Sequence, residues 1–350
     1  MAYTTIDDPS AYFETTLFTG NGSTQNITGL NFQPDWIWYK RRNSTNHHRL
    51  IDSVRGSNKN LASDLTNAEN TEATYVSSFN SDGWSIGSNT DINANNDTIA
   101  AWAWKAGTTG SGTTTGSGTG KAYSYSVNTD AGFSIVTYLG NSTEDHTIPH
   151  HLGVAPKMYI VKQRDAADAW ITYHDGLGAA NKYILLNSTA AVGTSNNPWG
   201  TVAPTSSVNN LGSAGDTNGN GDSFIMYSFA EVKGYSKFGS YTGTAGNNAT
   251  APFIYTGFKP AWFMVKNAGG TSAWEIYDSK LLGYNDQNHQ FRANATDALS
   301  AVSDYVDFLS NGVKIRHQST GINEDGDNFI YMAFADNPFV TSKGVPACAR

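Results

Sequence analysis

A nine-residue stretch, Phe32-Gln-Pro-Asp-Trp-Ile-Trp-Tyr-Lys40, most constrains the fold of this chain, because the sequence writes something like it three times. The other copies are Val154-Ala-Pro-Lys-Met-Tyr-Ile-Val-Lys162 and Phe258-Lys-Pro-Ala-Trp-Phe-Met-Val-Lys266. In each, a proline is followed six residues later by a lysine, and a polar residue, Asp52, His174 or Asp278, stands twelve residues beyond that lysine. Proline fixes φ and lacks a donor, so it suits the start of a strand, and the Trp, Tyr, Ile and Val that follow read as that strand. The spacing therefore predicts one strand at the centre of a repeated unit.

Each unit carries the same flanking pieces. Alternating segments ended by glycine open it, at 12–20, 133–140 and 238–243, where glycine is expected to supply positive φ. A bulky strand closes it, at 99–104, 224–229 and 329–334, with a small fifth residue, Ala103, Ser228 or Ala333. That small residue predicts a close backbone or a large ring facing it. Asp-Gly at 82–83 and Asn-Gly at 311–312 predict hairpins, while the second copy is degraded at Asn210-Leu-Gly212. No stretch sustains a 3.6-residue period, and 35 glycines with only 15% charged residues suit many short strands joined by turns. The predicted fold is all-β: three tandem β-sandwich units of jelly-roll or lectin-like type. The expected layout is an arm at 1–11, unit one at 12–106, a flexible Gly/Thr/Ser linker at 107–120, unit two at 121–233, unit three at 234–340 and a tail at 341–350. Unit one is expected to be the most freely placed.

Both main strands are apolar at consecutive positions, so the outer face of each sheet needs a cover, from a neighbouring unit or a neighbouring chain. This predicts a homo-oligomer, with a trimer favoured. A net charge of −8 with scattered basic residues disfavours nucleic acid, and Lys40-Arg41-Arg42 is placed at a solvated strand tip. The single cysteine, Cys348, leaves no intramolecular disulfide. The N-terminus has no secretory pattern and no apolar run approaches ~18 residues, so synthesis in a cytoplasm without membrane insertion is expected.

Few constellations could carry chemistry. The acidic loops Asp91-Ile-Asn93-Ala-Asn-Asn-Asp97, Asp216-Thr-Asn218-Gly-Asn-Gly-Asp222 and Asn323-Glu-Asp325-Gly-Asp327 resemble the first half of a calcium loop. The second half is missing. They are read as turns whose side chains bond their own backbone, with calcium as the minority alternative and no other cofactor. Asp52, His174 and Asp278 differ chemically within one framework and are read as strand-closing groups rather than a catalytic set. His47-His48 and His150-His151 are adjacent pairs with side chains on opposite faces of an extended chain, read as surface histidines. Trp84 and Trp199, outside the repeated strands, are the candidate sugar platform, set against the high average burial of tryptophan. No nucleotide-binding, esterase or Cys-x-x-Cys motif occurs, so an enzyme is not expected.

Together, Phe-x-Pro-x-Trp-x-x-x-Lys (32–40), Ile-Asp-Ser-Val-Arg-Gly (51–56), Ser-Asp-Gly-Trp (81–84), Ala-Trp-Ala-Trp-Lys-Ala (101–106), Gly-Tyr-Ser-Lys-Phe-Gly-Ser-Tyr-Thr-Gly (234–243) and Ala-Phe-Ala-Asp-Asn-Pro-Phe (333–339) resemble a family of repeat-containing virion proteins of tailed phages, familiar from marine and cyanobacterial phages. The likeness spans nearly the whole chain. It implies a structural protein of the virion, a tail fibre or tail-associated appendage for host attachment, with other virion proteins and a host surface glycan as partners. The alternatives are a capsid decoration or head fibre protein and, from another class, a polysaccharide-degrading enzyme.

Overall fold

In the computed structural model, which describes residues 3–282, 285 and 287–347, one order of strands recurs in three places. An opening strand (Phe13–Thr19, Phe133–Leu139, Ser236–Thr242) pairs with the closing strand (Thr98–Trp104, Ser223–Phe229, Asn328–Pro338). The closing strand pairs on its other edge with the central strand (Trp36–Arg41, Met158–Gln163, Phe258–Asn267). Beyond it lies a following strand (Arg49–Asp52, Ile171–His174, Trp274–Asp278). All these pairings are antiparallel. A separate smaller sheet backs the main sheet in units one and two, while in unit three the main sheet runs on through Gln287–Arg292, Ser300–Leu309, Gly312–Ile315 and Phe253–Tyr255, so that Val306, Phe308 and Val313 pack against Phe263 and Val265 to make the sandwich. No helix among the described residues is long and apolar enough to cross a membrane. Cys348 lies outside the described residues.

Consecutive apolar positions are explained by the two-residue period of a strand. Ile37, Tyr39, Ile99, Ala101 and Ala103 point into the first sandwich, while Trp36, Trp38, Trp102 and Trp104 point the other way. Tyr159, Val161 and Phe224 likewise face inward in the second unit, and Met158, Ile160, Tyr227 and Phe229 outward. In the third, Phe263 and Val265 face inward, and Trp262, Met264, Met332 and Phe334 outward. The three outward faces meet in one central core. Trp104 lies 5.7 Å from Phe334, which lies 6.3 Å from Phe229, three rings at equivalent places on three closing strands. Each such ring removes ~150–250 Å² from water, roughly 4–6 kcal/mol as an upper figure at ~25 cal/mol per Å². The chain thus covers within itself the surfaces whose exposure argued for a second chain.

The ring of units is closed by a hydrogen-bond pattern repeated at every junction. Leu299 N donates to Arg42 O at 2.9 Å, Glu69 N to Arg164 O at 2.7 Å and Val192 N to Ala268 O at 3.0 Å. Four residues on, Asn46 N donates to Thr296 O, Asp168 N to Thr66 O and Ser272 N to Thr189 O, at 2.8–2.9 Å. Unit one therefore grips unit three, unit three grips unit two, and unit two grips unit one. Lys40, Lys162 and Lys266 end the central strands within this pattern, each at most 1% exposed, and burial pulls the ammonium of each down to about 8. Their Nζ atoms donate to carbonyls: Thr296 at 3.1 Å from Lys40, Ala166 at 3.2 Å from Lys162 and Thr189 at 3.2 Å from Lys266. Lys40 is no solvated tip; it helps close the ring.

Two other expectations are corrected. Residues 107–120 are no loose linker: Thr108–Thr113 forms an edge strand on Ala122–Asn128, and Thr115–Gly116 pairs with His146–Pro149. That short strand completes the second unit's small sheet, His146–Pro149 with Val208–Leu211, where units one and three use a hairpin strand instead. The degraded copy around Asn210 is thereby repaired from the other edge. Nor is unit one freely placed, since Trp36, Trp38, Trp102 and Trp104 sit in the shared core, as does Ile6 of the arm, while Tyr3 Oη donates to Gly257 O at 2.7 Å. The closing glycines are explained by close approach rather than positive φ. A Cβ at Gly20, Gly140 or Gly243 would come within 2.2, 2.3 or 1.9 Å of the carbonyl oxygen of Ala94, Gly219 or Glu324. The small fifth residue of each closing strand lies directly across from Ile37, Tyr159 or Phe263, a large ring in the last two cases.

Candidate functional site

The three polar residues twelve positions after the lysines are buried at the junctions and do double duty. Asp52 Oδ1 accepts from Arg55 N at 2.8 Å, His174 Nδ1 from Gly176 N at 3.0 Å and Asp278 Oδ1 from Lys280 N at 2.8 Å, so each caps the turn after its own strand. Each also reaches the closing strand of the next unit. Tyr227 Oη donates to Asp52 at 2.7 Å, His174 Nε2 donates to Tyr331 O at 3.0 Å, and Trp102 Nε1 donates to Asp278 at 2.7 Å. With Nδ1 accepting and Nε2 donating, His174 is neutral, and burial pulls its pKa down to about 4. Burial likewise pushes the Asp278 carboxyl up. At the first junction Arg55 fills the space: it bonds Asp52, Glu69 at 3.1 Å and Tyr227 at 3.2 Å, and Glu69 takes a two-pronged bond from Arg164 at 3.0 Å. One repeated geometry, built with two aspartates and a histidine, holds the units together, with all three side chains buried.

The proposed aromatic platform is not one. Trp84 and Trp199 are each 0% exposed, Trp84 packed edge-on to Tyr39 and Trp199 edge-on to Tyr159 inside their sandwiches. Sequence reasoning placed them outside the repeated strands and so missed that each completes a core. The histidine pairs do split to opposite sides, yet they are not all at the surface: His48 and His150 are 0% exposed, and burial pulls His150 down to about 4. His48 accepts from Trp38 Nε1 at 2.8 Å and donates to Arg292 O at 3.0 Å across a junction.

In the acidic loops, read from sequence as turns with calcium as the minority alternative, the buried asparagines bond backbone. Asn93, Asn218 and Asn323 each end a single helical turn and are 0% exposed. Their Oδ1 atoms accept from the residue after the closing glycine, Asn21 N at 3.0 Å, Asn141 N at 2.8 Å and Thr244 N at 2.8 Å. Their Nδ2 atoms donate to carbonyls of Gly87 at 2.7 Å, Gly212 at 2.8 Å and Gly246 at 2.7 Å. The amide oxygen that a cation would need is committed to backbone. The carboxylates disperse: Asp91 to Arg49 at 2.7 Å, Asp97 to Arg41 at 2.9 Å and Asp327 to Asn267 at 2.8 Å. Asp222 is half-buried beside Gly219, and Asp325 is exposed. Asp216 is half-buried with its carboxyl pushed up to about 6 by burial and by Asp168. Among the described residues no three His, Cys, Asp or Glu side chains group as a metal would require.

What is open is a polar cleft of about 320 Å³ in unit one, between the start of the following strand and residues 60–70. His47 and Arg49 form one wall. His47 Nδ1 lies 2.6 Å from Oδ2 of Asp64, a carboxylate only 2% exposed, while Arg49 pairs with Asp91. Asn60, 2% exposed, lines the cleft with Asn67 and Asn70, and Leu61, Ala62 and Leu65 give it an apolar floor. The outer wall is fixed to unit two through the Thr66 carbonyl and Glu69. The inner wall is fixed to unit three through His48. A pocket held at both ends this way is largely pre-formed.

A family model described as a domain of unknown function, DUF7483, matches residues 8–338, and no curated protein or solved structure matches the chain. With that match covering nearly all of the closed ring of sandwiches, the chain belongs to the DUF7483 family, a domain of unknown function.

Proposed function

We propose that this chain is a structural protein of a tailed-phage virion, a tail fibre or tail-associated appendage that takes part in host attachment. The carrying observation is that what the three copies share is spent on scaffold. The lysines, the buried asparagines and the close-packed glycines all bond or pack against backbone within the ring. The family-like motifs fall in the same places, as Ile51–Gly56 does around Asp52 and Arg55. A rigid body of this kind suits a particle component that presents a surface, and mounting several copies on one particle would add avidity to weak contacts. Other virion proteins and a host surface glycan are the partners this reading names, and any self-association, a trimer included, would use surfaces outside the central core.

Antibodies raised against the chain and imaged on intact particles test it. Label on the tail, together with blocked adsorption by monovalent antibody fragments, is the expected result. Label on the head would favour the decoration reading, and particles without label would remove the chain from the virion altogether.

A further inference from the structure

We propose that the cleft between His47 and Asn70 binds a neutral saccharide. The inference rests on the attachment reading for its biological sense and names the ligand class of that surface. The framework does not require this chemistry. By strand register Arg49 stands where unit two has Ile171 and unit three has Glu275, and His47 stands where they have Ala169 and Ala273. The polar wall is therefore an addition to one copy.

The inventory of unspent groups selects the ligand. With Nδ1 held by Asp64, His47 directs an Nε2 that has no partner among the described residues. In the neutral ring this atom accepts. The side-chain amides of Asn67 and Asn70 also have no partner among the described residues, and each offers both a donor and an acceptor. Asn60 is nine-tenths buried or more and uses only its Nδ2, toward Asn70 O at 3.3 Å. Such alternating donors and acceptors match hydroxyl groups, each of which donates and accepts at once.

Charge argues for neutrality. The carboxylates of Asp64 and Asp91 stand directly behind His47 and Arg49, so an anion entering the cleft meets their field, and a cation meets Arg49. Leu61, Ala62 and Leu65 offer the apolar floor on which the C–H face of a pyranose ring can rest. At about 320 Å³ the cleft is at the small end of ligand sites, sized for one or two sugar residues.

Ligand-observed NMR on the full chain tests this, with neutral oligosaccharides of glucose, galactose, mannose and N-acetylglucosamine and with oligogalacturonate as the acidic counterpart. Asn67 and Asn70 are exposed, so the variant N67A/N70A is expected to keep the parent melting temperature. At least one neutral oligosaccharide is expected to bind, at least tenfold more weakly to N67A/N70A. Binding unchanged in that variant, preference for oligogalacturonate, or no binding of any neutral sugar would each overturn the proposal. Its failure is separable from failure of the attachment reading. Adsorption blocked by antibody with no cleft-dependent sugar binding would sink only the saccharide site, whereas cleft-dependent binding by a protein absent from the tail would sink only the attachment role.

Discussion

Asn218 carries more of the fold than its residue type suggests. Its buried amide accepts from Asn141 N and donates to the carbonyls of Thr143 and Gly212, at 2.8–3.0 Å. Replacing it with alanine would leave one N–H and two carbonyls without their partner beside a buried side chain, each costing ~1–3 kcal/mol. Asn218→Ala should therefore lower stability by about 3 kcal/mol or more in urea denaturation, and a loss under 1 kcal/mol would show that the turn does not depend on it. The buried lysines make a second, titratable statement. Their pKa falls from 10.5 in the unfolded chain to about 8 in the fold, so the unfolded chain binds more protons between those values. Stability should then rise with pH from about 8 to 9.5, each lysine relieving up to about 2 kcal/mol, until the tyrosines of the unfolded chain begin to ionise near 10. Thermal melts at pH 7.5, 8.5 and 9.5 measure this. A melting temperature that falls steadily over that range would mean that the carbonyls around Nζ hold the ammonium at its ordinary pKa.

Among the elements, the stretch 107–120 departs furthest from what its composition suggests. Gly, Ser and Thr cost little to leave disordered, yet Thr108–Thr113 pairs with its neighbour along its whole length. Gly110 and Gly112 suit this packing: a Cβ on either would come within 2.6–2.8 Å of the hydroxyl oxygen of Tyr125 or Tyr123, whose side chains lie over the bare backbone. Limited proteolysis of the native protein should leave this stretch intact while the chain remains folded, and first cleavage inside 107–120 would restore the loose-linker picture. The closing strands teach the complementary lesson. Their small fifth residue was readable from sequence, but its partner was not, since Tyr159 faces Ser228 only because two distant segments pair in one register.

For the whole molecule, the central core joins side chains from all three sandwiches, and bonds at every junction close the ring. Such a body has no unit that can unfold while leaving the others with their apolar faces covered. Calorimetry should show one transition whose van't Hoff and calorimetric enthalpies agree, and two resolved transitions would mean that the junctions are weaker than the sandwiches. Substitution of Trp36 or Trp104, whose rings lie tilted 4.5 Å apart in that core, should likewise reduce stability rather than change the association state.

The sequence alone determined the local terms: strand positions, the all-β class, the opening, central and closing strands, and the fact that their outer faces needed a cover. These follow from proline placement and from a period of two, which a chain displays without reference to distant residues. Only the tertiary structure decided that the cover is the chain itself, that Lys40 is buried, that Trp84 and Trp199 are core, and that His47, Arg49 and Asn70 share one cleft. Each of these depends on which surfaces of separate segments meet, and burial belongs to that meeting rather than to any residue type. A repeat tells how many greasy faces exist, and only their packing says whether they turn toward one another.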